Sequence, residues 1–307
     1  MTKPRFFLPV VLLVPMAVFA QEGNLSTQTL VRAESKQGAV PTTQSVTLEV
    51  EKKSTPLTGL RAVKPAGAQV ALLIDDGLSR SAGVQLGDLK DFARTLPAGV
   101  ELLVGYMTNG RVQVEQPFTT DHAAAAEKIR IPSGMPGQSA SPYFCLSDFV
   151  KRWPVREEGK ARFVMMITNG VDPYNGSVSI TNQDSPYVQT AANDAMRAGV
   201  AVSSIYYRDA GFGGGAASFS GQGYLKQVAD ATGGESFYEG TGNPVSLKPF
   251  LQSFVHDISE TYVATFNAPA GSGGRDHLVQ LKMRTSTPKL KLRHADEVRP
   301  GNVEGGQ

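Results

Sequence analysis

A chain of 307 residues, 41% hydrophobic and 19% charged, can bury a sizeable core, which excludes disorder over most of its length. Losing Lys3 and Arg5 with an N-terminal leader would lower the 30 basic residues to 28, matching the 28 acidic ones. Net charge therefore gives no basis for a nucleic-acid or anionic-membrane partner. The single cysteine, Cys145, excludes an internal disulfide, so stability must come from the core.

Residues 1–20 read as a secretory signal peptide. Lys3 and Arg5 precede an apolar run over 6–18, and the small residue Ala20 marks the cut. The run is shorter than the ~20 residues a membrane span needs, and Pro9 and Pro15 interrupt it, so no span is expected after cleavage. The expected location is outside the cytoplasm, periplasmic or extracellular. Residues 21–42 are polar and lack periodicity, which predicts a flexible N-terminal segment. Within 43–68, residues 46–52 alternate apolar and polar side chains as a half-buried strand should, and 53–68 read as a connector.

From Val70 the pattern changes to strands alternating with helices, the signature of βαβ units. Residues 70–74 are five consecutive apolar side chains ending in Asp75 and Asp76, which predicts a strand buried on both faces. An amphipathic helix over 84–96 stops at Pro97. Strands 100–107 and 112–118 flank Asn109-Gly110, a tight-hairpin signal, and an Ala-rich helix over 121–129 has Thr120 or Asp121 as N-cap. A Gly/Pro/Ser loop over 132–141 leads into a helix over 142–153, in which Cys145 and Trp153 read as packing residues. Then come a buried strand over 163–167, a polar loop over 173–186, a helix over 187–198 closed by Gly199, and a strand over 200–207. Residues 211–223 hold six glycines and read as a mobile loop before a helix over 224–232. A short strand over 236–238 and a helix over 247–260 complete an α/β body spanning 69–261. On that last helix, His256, Asp257 and Glu260 read as a solvated face. The last part, 262–307, is a β-element and tail, with strands over 262–267, 278–284 and 290–292 expected to pair with one another and with residues 46–51.

In an open α/β sheet, ligands sit beyond the carboxyl ends of the strands. Asp75 and Ser79 follow the first buried strand, Ser141 follows the loop containing Ser139, and Thr168-Asn169-Gly170 with Asp172 follows the next strand. This order resembles the metal-ion-dependent adhesion site of von Willebrand factor A domains, written Asp-x-Ser-x-Ser in its first loop. Gly77 stands at the middle serine, and Asn169 stands where the family usually has an aspartate. Ala198-Gly199-Val200 before a strand, the run from Tyr224 to Gly234 and Tyr262 opening a later strand add to the likeness. Together they resemble the exported bacterial, Acidobacteria-type branch of von Willebrand factor A-like proteins, over residues 70 to about 266.

The resemblance implies a doubly wound, mostly parallel Rossmann-like sheet with a small flanking β-element. It also implies non-catalytic binding of a protein partner. Under one reading, Asp75, Ser79 and Ser141 hold a weakly bound Mg²⁺, Asn169 or Asp172 acts through water, and a partner carboxylate completes the shell. Under the other, the same residues only hydrogen-bond and cap the loops of a metal-free interaction domain. Tyr206-Tyr207-Arg208-Asp209 ends a strand on the same edge and brings a tyrosine and charges there.

Other classes fit less well. No Gly-x-Gly-x-x-Gly follows the first strand, and no Gly-x-Ser-x-Gly occurs anywhere. His122, His256, His277 and His294 have no zinc-ligand spacing. A hydrolase or transferase using Asp75 and Asp76 as acid and base is the remaining alternative of another class.

Overall fold

The central strand β5 (Ala68–Asp75) is buried at all eight positions because helices cover both its faces. Val70, Leu72 and Ile74 pack on one side, Ala71 and Leu73 on the other. Each such leucine, fully withdrawn from water, contributes roughly 1.5–3 kcal/mol. The computed structural model describes residues 23–134, 141–154, 160–172, 185–208, 214–240, 242–270 and 276–303. The predicted leader, Ser139 and most of the 173–186 loop lie outside the described residues.

Parallel to β5 run β6 (Glu101–Thr108) and β8 (Ala161–Thr168), followed outward by β9 (Val200–Tyr206) and the short β10 (Ser236–Phe237). The antiparallel strand β7 (Arg111–Thr119) closes one edge, giving the order β10-β9-β8-β5-β6-β7. The predicted hairpin is present: Asn109 and Gly110 both take positive φ, +50° and +75°, as a tight turn of the primed type requires.

Helices α1 (Leu86–Thr95), α2 (His122–Glu127) and α6 (Lys248–Ser259) cover one face, sharing a core with Val70, Leu72 and Ile74. Helices α3 (Pro142–Lys151), α4 (Pro186–Ala198) and α5 (Gly214–Thr232) cover the other. Asp121 is the N-cap of α2, its Oδ1 accepting the Ala124 N–H at 2.9 Å. Trp153 packs 5.2 Å from Phe149 and donates its Nε1–H to Gln69, and Cys145 is buried. The doubly wound architecture expected from the sequence is thus observed.

The flanking β-structure is larger than expected. Residues 24–35, predicted to be flexible, form the long strand β1 (Asn24–Ser35), which lies between β11 (Thr261–Pro269) and β13 (Leu290–His294). Its polar sequence hides this, because several of its polar side chains, Thr27, Thr29 and Arg32, are the buried ones. The predicted connector contains β3 (Lys53–Thr55) and β4 (Leu57–Ala62). Strands β11 and β12 (Val279–Thr285) do not pair with each other as expected. β12 pairs with β2 (Val46–Val50) and with β14 (Glu297–Val298), giving sheets β13-β1-β11-β4 and β14-β12-β2-β3. Val31 and Phe266 of the first sheet share a core with Leu48 and Leu281 of the second, so the two form a sandwich.

Two further corrections concern the body. Helix α5 begins at Gly214, within the predicted glycine-rich loop, and Gly221 sits where a side chain would strike the Asn169 backbone. Asp257 is not on a solvated face. It pairs with Arg32 of β1 at 2.5 Å, while His256 remains exposed beside Glu260.

Candidate functional site

Parity along the strands decides where the edge side chains go. Asp75 is in step with Ala71 and Leu73 and so faces the α3–α4–α5 side. Thr168 is in step with Val164 and Met166 and faces the same way. Since Ile74 lies opposite Ile167, the next residues, Asp75 and Thr168, meet across the pair. The Thr168 hydroxyl donates to Asp75 Oδ2 at 2.7 Å, and the Gly77 N–H donates to Oδ1 at 2.9 Å. Asp75 is buried.

Asp76 points the opposite way. Its Oδ1 accepts from Arg130 Nη1 at 2.7 Å and from the Ser133 N–H at 2.9 Å, and its carbonyl accepts the Gly134 N–H at 2.9 Å. Arg130 stacks on the Tyr106 ring, its guanidinium carbon 3.8 Å from the centroid, and Tyr106 donates its hydroxyl to the Arg130 carbonyl at 2.6 Å. Burial, with the Asp76 and Glu115 charges, pushes the Tyr106 hydroxyl upward against the neighbouring Arg130, while the hydrogen-bonded Asp76 carboxylate raises the Arg130 pKa against its own burial. The adjacent carboxylates Asp75 and Asp76 therefore serve two separate networks on opposite faces of the sheet.

The remaining predicted residues lie on the same edge. Ser141, fully buried, is the N-cap of α3, its Oγ accepting the Tyr143 N–H at 3.3 Å. Burial, then the Asp75 charge, pushes the thiol of Cys145 in α3 up to about 12. Tyr143 ties α3 to the third loop by donating its hydroxyl to the Gly170 carbonyl at 2.7 Å; burial, then the Asp172 charge, holds its pKa well above the usual range. Asn169 Oδ1 accepts the Val171 N–H at 2.9 Å. Asp172 accepts from the Ser185 hydroxyl at 2.7 Å, and Ser185 caps α4. Ser79 is partly exposed, with its Oγ 2.5 Å from that of Ser81.

Asp75 and Thr168 are thus brought into direct contact, Ser141 and Asn169 cap adjacent loops, and Asp172 is engaged with the start of α4. Thr168 and Arg130 are the partners that sequence reasoning did not single out. Thr168 was within reach, since strand register places it against Asp75. Arg130 lies 54 positions from Asp76 and carries no local signal.

A hard divalent cation such as Mg²⁺ takes about six oxygens and gains affinity from the carboxylates among them. Here Asp75 and Asp172 are the carboxylates among the predicted ligands; each Asp75 oxygen accepts a protein hydrogen bond, and Asp172 accepts one from Ser185. The amide of Asn169 is turned into its own loop. Among the described residues, no group of three or more His, Cys, Asp or Glu side chains is placed to hold a metal ion.

The sheet order and the antiparallel edge strand give a doubly wound α/β body with the motif loops at its carboxyl edge, beside a β-sandwich built from residues 24–62 and 261–298. No family model and no curated protein matches the sequence. Among solved structures, the chain is similar to a von Willebrand factor type A protein from Catenulispora acidiphila, with 12% identity, TM-score 0.46, and coverage of 92% of this chain and 75% of that one. An aerotolerance-related membrane protein from Bacteroides fragilis matches at 12% identity and TM-score 0.45, over 62% of this chain and 98% of that one. Proximal thread matrix protein 1 from the mussel byssus, solved with a zinc-occupied adhesion motif, matches at 17% identity and TM-score 0.45, over 67% and 48%.

Proposed function

We propose that this is an exported, non-catalytic interaction domain that binds a protein partner through the loops at the carboxyl edge of its sheet, without a metal ion. The observation that carries the reading is the closed set of hydrogen bonds among those loops. Asp75 with Thr168, Asp76 with Arg130, Ser141 with Tyr143 and Asp172 with Ser185 satisfy one another, leaving a preformed edge. The opposed directions of Asp75 and Asp76 argue against their use as an acid–base pair, since a shared substrate atom must lie within hydrogen-bond reach of both. Export is supported by the composition of residues 1–20.

The test is photo-crosslinking in the source cells with p-benzoylphenylalanine in place of Ser79, compared with the same residue in place of the sandwich residue Lys282. The expected outcome is a discrete protein adduct from position 79 alone, unchanged by EDTA. Equal adducts at both positions, or none at 79, overturn the edge as the binding surface. An adduct abolished by EDTA restores the cation-mediated reading.

A further inference from the structure

We infer that a second site, away from the loop edge, lies in the cleft between helices α4 and α5 and the outer face of strands β12 and β2, and that it takes a neutral, hydroxyl-rich ligand of the oligosaccharide class. The inference is independent of the edge-binding reading above.

The cleft has a volume of about 860 Å³ and draws its lining from both the α/β body and the sandwich. Strand parity supplies one wall. Val279, Leu281 and Met283 of β12 point into the sandwich core, as do Leu48 and Val50 of β2, so Gln280, Lys282 and Glu49 stand on the outer face. Glu49 sits opposite Lys282 across the β2–β12 pair, and Glu297 of β14 sits opposite Gln280. Helical spacing supplies the other wall. Gln189 and Met196 share a face of α4, and Gln227 and Ala231 share a face of α5. The Gln227 amide donates to Gln189 Oε1 at 3.4 Å and links the two helices on that wall. Asp296 fastens the walls together: its N–H donates to the Ala231 carbonyl at 2.9 Å, and its carbonyl accepts the Leu281 N–H at 2.8 Å. The cleft is therefore preformed, and its volume lies within the ~300–1,000 Å³ of small-molecule sites.

The lining identifies the ligand chemistry. Among the described residues, the side chains of Glu49, Lys52, Gln280, Lys282, Asp296 and Glu297 make no hydrogen bond or ion pair, and all six line the cleft. An apolar ligand would strand these groups away from water. An anion would face the carboxylates of Glu49, Asp296 and Glu297, and a cation would face the ammonium groups of Lys52 and Lys282. A hydroxyl both donates and accepts, so a neutral polyol chain satisfies carboxylates, ammonium groups and amides without adding charge. The volume suits a short chain of sugar rings better than a single ion.

The probes are cellotetraose, maltotetraose, xylotetraose and the tetramer of N-acetylglucosamine, titrated into the full chain by saturation-transfer NMR, with tetraglycine as a zwitterionic control. The expected result is saturable binding of at least one tetrasaccharide, insensitive to salt because the ligand is uncharged. In the parent protein, the bound sugar should shift the methyl resonance of Met196 and leave that of Met107, whose carbonyl accepts the Asp76 N–H at the loop edge, unmoved. Gln280→Ala/Lys282→Ala on one wall and Gln189→Ala/Gln227→Ala on the other should each weaken binding by about tenfold or more. Circular dichroism melts check that both variants fold, and the Met196 shift reads the site without any substitution. Failure of all four sugars at millimolar concentration, preference for tetraglycine, steep salt dependence, an unmoved Met196 methyl, or binding indifferent to either folded double variant overturns the inference.

Discussion

Arg32 offers the sharpest perturbation. Its side chain is 6% exposed and its guanidinium faces three carboxylates: Asp257 at 2.5 Å, Glu34 at 2.5 Å and Glu235 at 2.8 Å. Arg32 and Glu34 belong to the sandwich, whereas Asp257 lies on α6 and Glu235 just precedes β10. Arg293 of β13 adds contacts to Glu34, Glu235 and Asp230 at 3.1–3.4 Å. Replacing Arg32 with Met keeps the length and leaves three carboxylates facing one another. Removing one partner of a fully buried pair costs ~3–5 kcal/mol, and carboxylates that are 20–37% exposed recover part of this from water, so a loss of about 2–4 kcal/mol is expected. Urea unfolding at pH 7, followed by far-ultraviolet circular dichroism, measures it. A loss below ~0.5 kcal/mol, the scale of an exposed pair, would refute the reasoning.

The same cluster has a pH signature. Burial, reinforced by Glu235 and Glu34, outweighs Arg32 and raises the Asp257 carboxyl from 3.8 to about 6. The folded state therefore holds this proton more tightly than the unfolded chain. Its contribution is fully present below pH 3.8 and is lost as the pH rises towards about 6. Asp257→Asn should flatten the stability profile across that window, as urea midpoints at successive pH values would report; an unchanged slope would exclude Asp257 as its source.

Three other expectations concern the edge and core. Isothermal calorimetry with Mg²⁺ or Mn²⁺ should give no saturable heat at millimolar concentrations; saturation abolished by Asp75→Ala would restore a metal site. Gly170→Ala should destabilise by about 2 kcal/mol or more, because φ is +65° there and the added Cβ would lie 2.5 Å from the Gly221 carbonyl; a chemical-denaturation midpoint equal to that of the parent protein would contradict the packing. Cys145, buried and with its thiol pushed to about 12, should resist iodoacetamide at pH 8 until the protein is unfolded by urea; rapid native labelling would show that its helix opens.

The parts of the fold that the sequence makes legible are those encoded locally. Five apolar residues before Asp75 announce a strand covered on both faces, and Asn109-Gly110 announces the hairpin. The sandwich is illegible for the opposite reason. β1 is polar in composition, and its partner residue Thr265 lies 237 positions from Gln28, so no window contains both. The start of α5 is hidden by glycines, whose low helix propensity is overridden by packing of Gly221 against the Asn169 backbone. At the site, the loop order is readable from Asp75, Ser141 and Asn169. The direction each side chain takes depends on strand parity and on the distant cation Arg130.

The placement of β1 in the middle of its sheet also constrains how the chain reaches its final form. Residues 24–35 must wait for β11 and β13, made more than two hundred residues later, before their backbone finds either neighbour. The α/β body can gather meanwhile from contacts nearer in sequence. Until residues 261–294 are made, β1 keeps both backbone edges open, and closure of its sheet reports that β11 and β13 have been made.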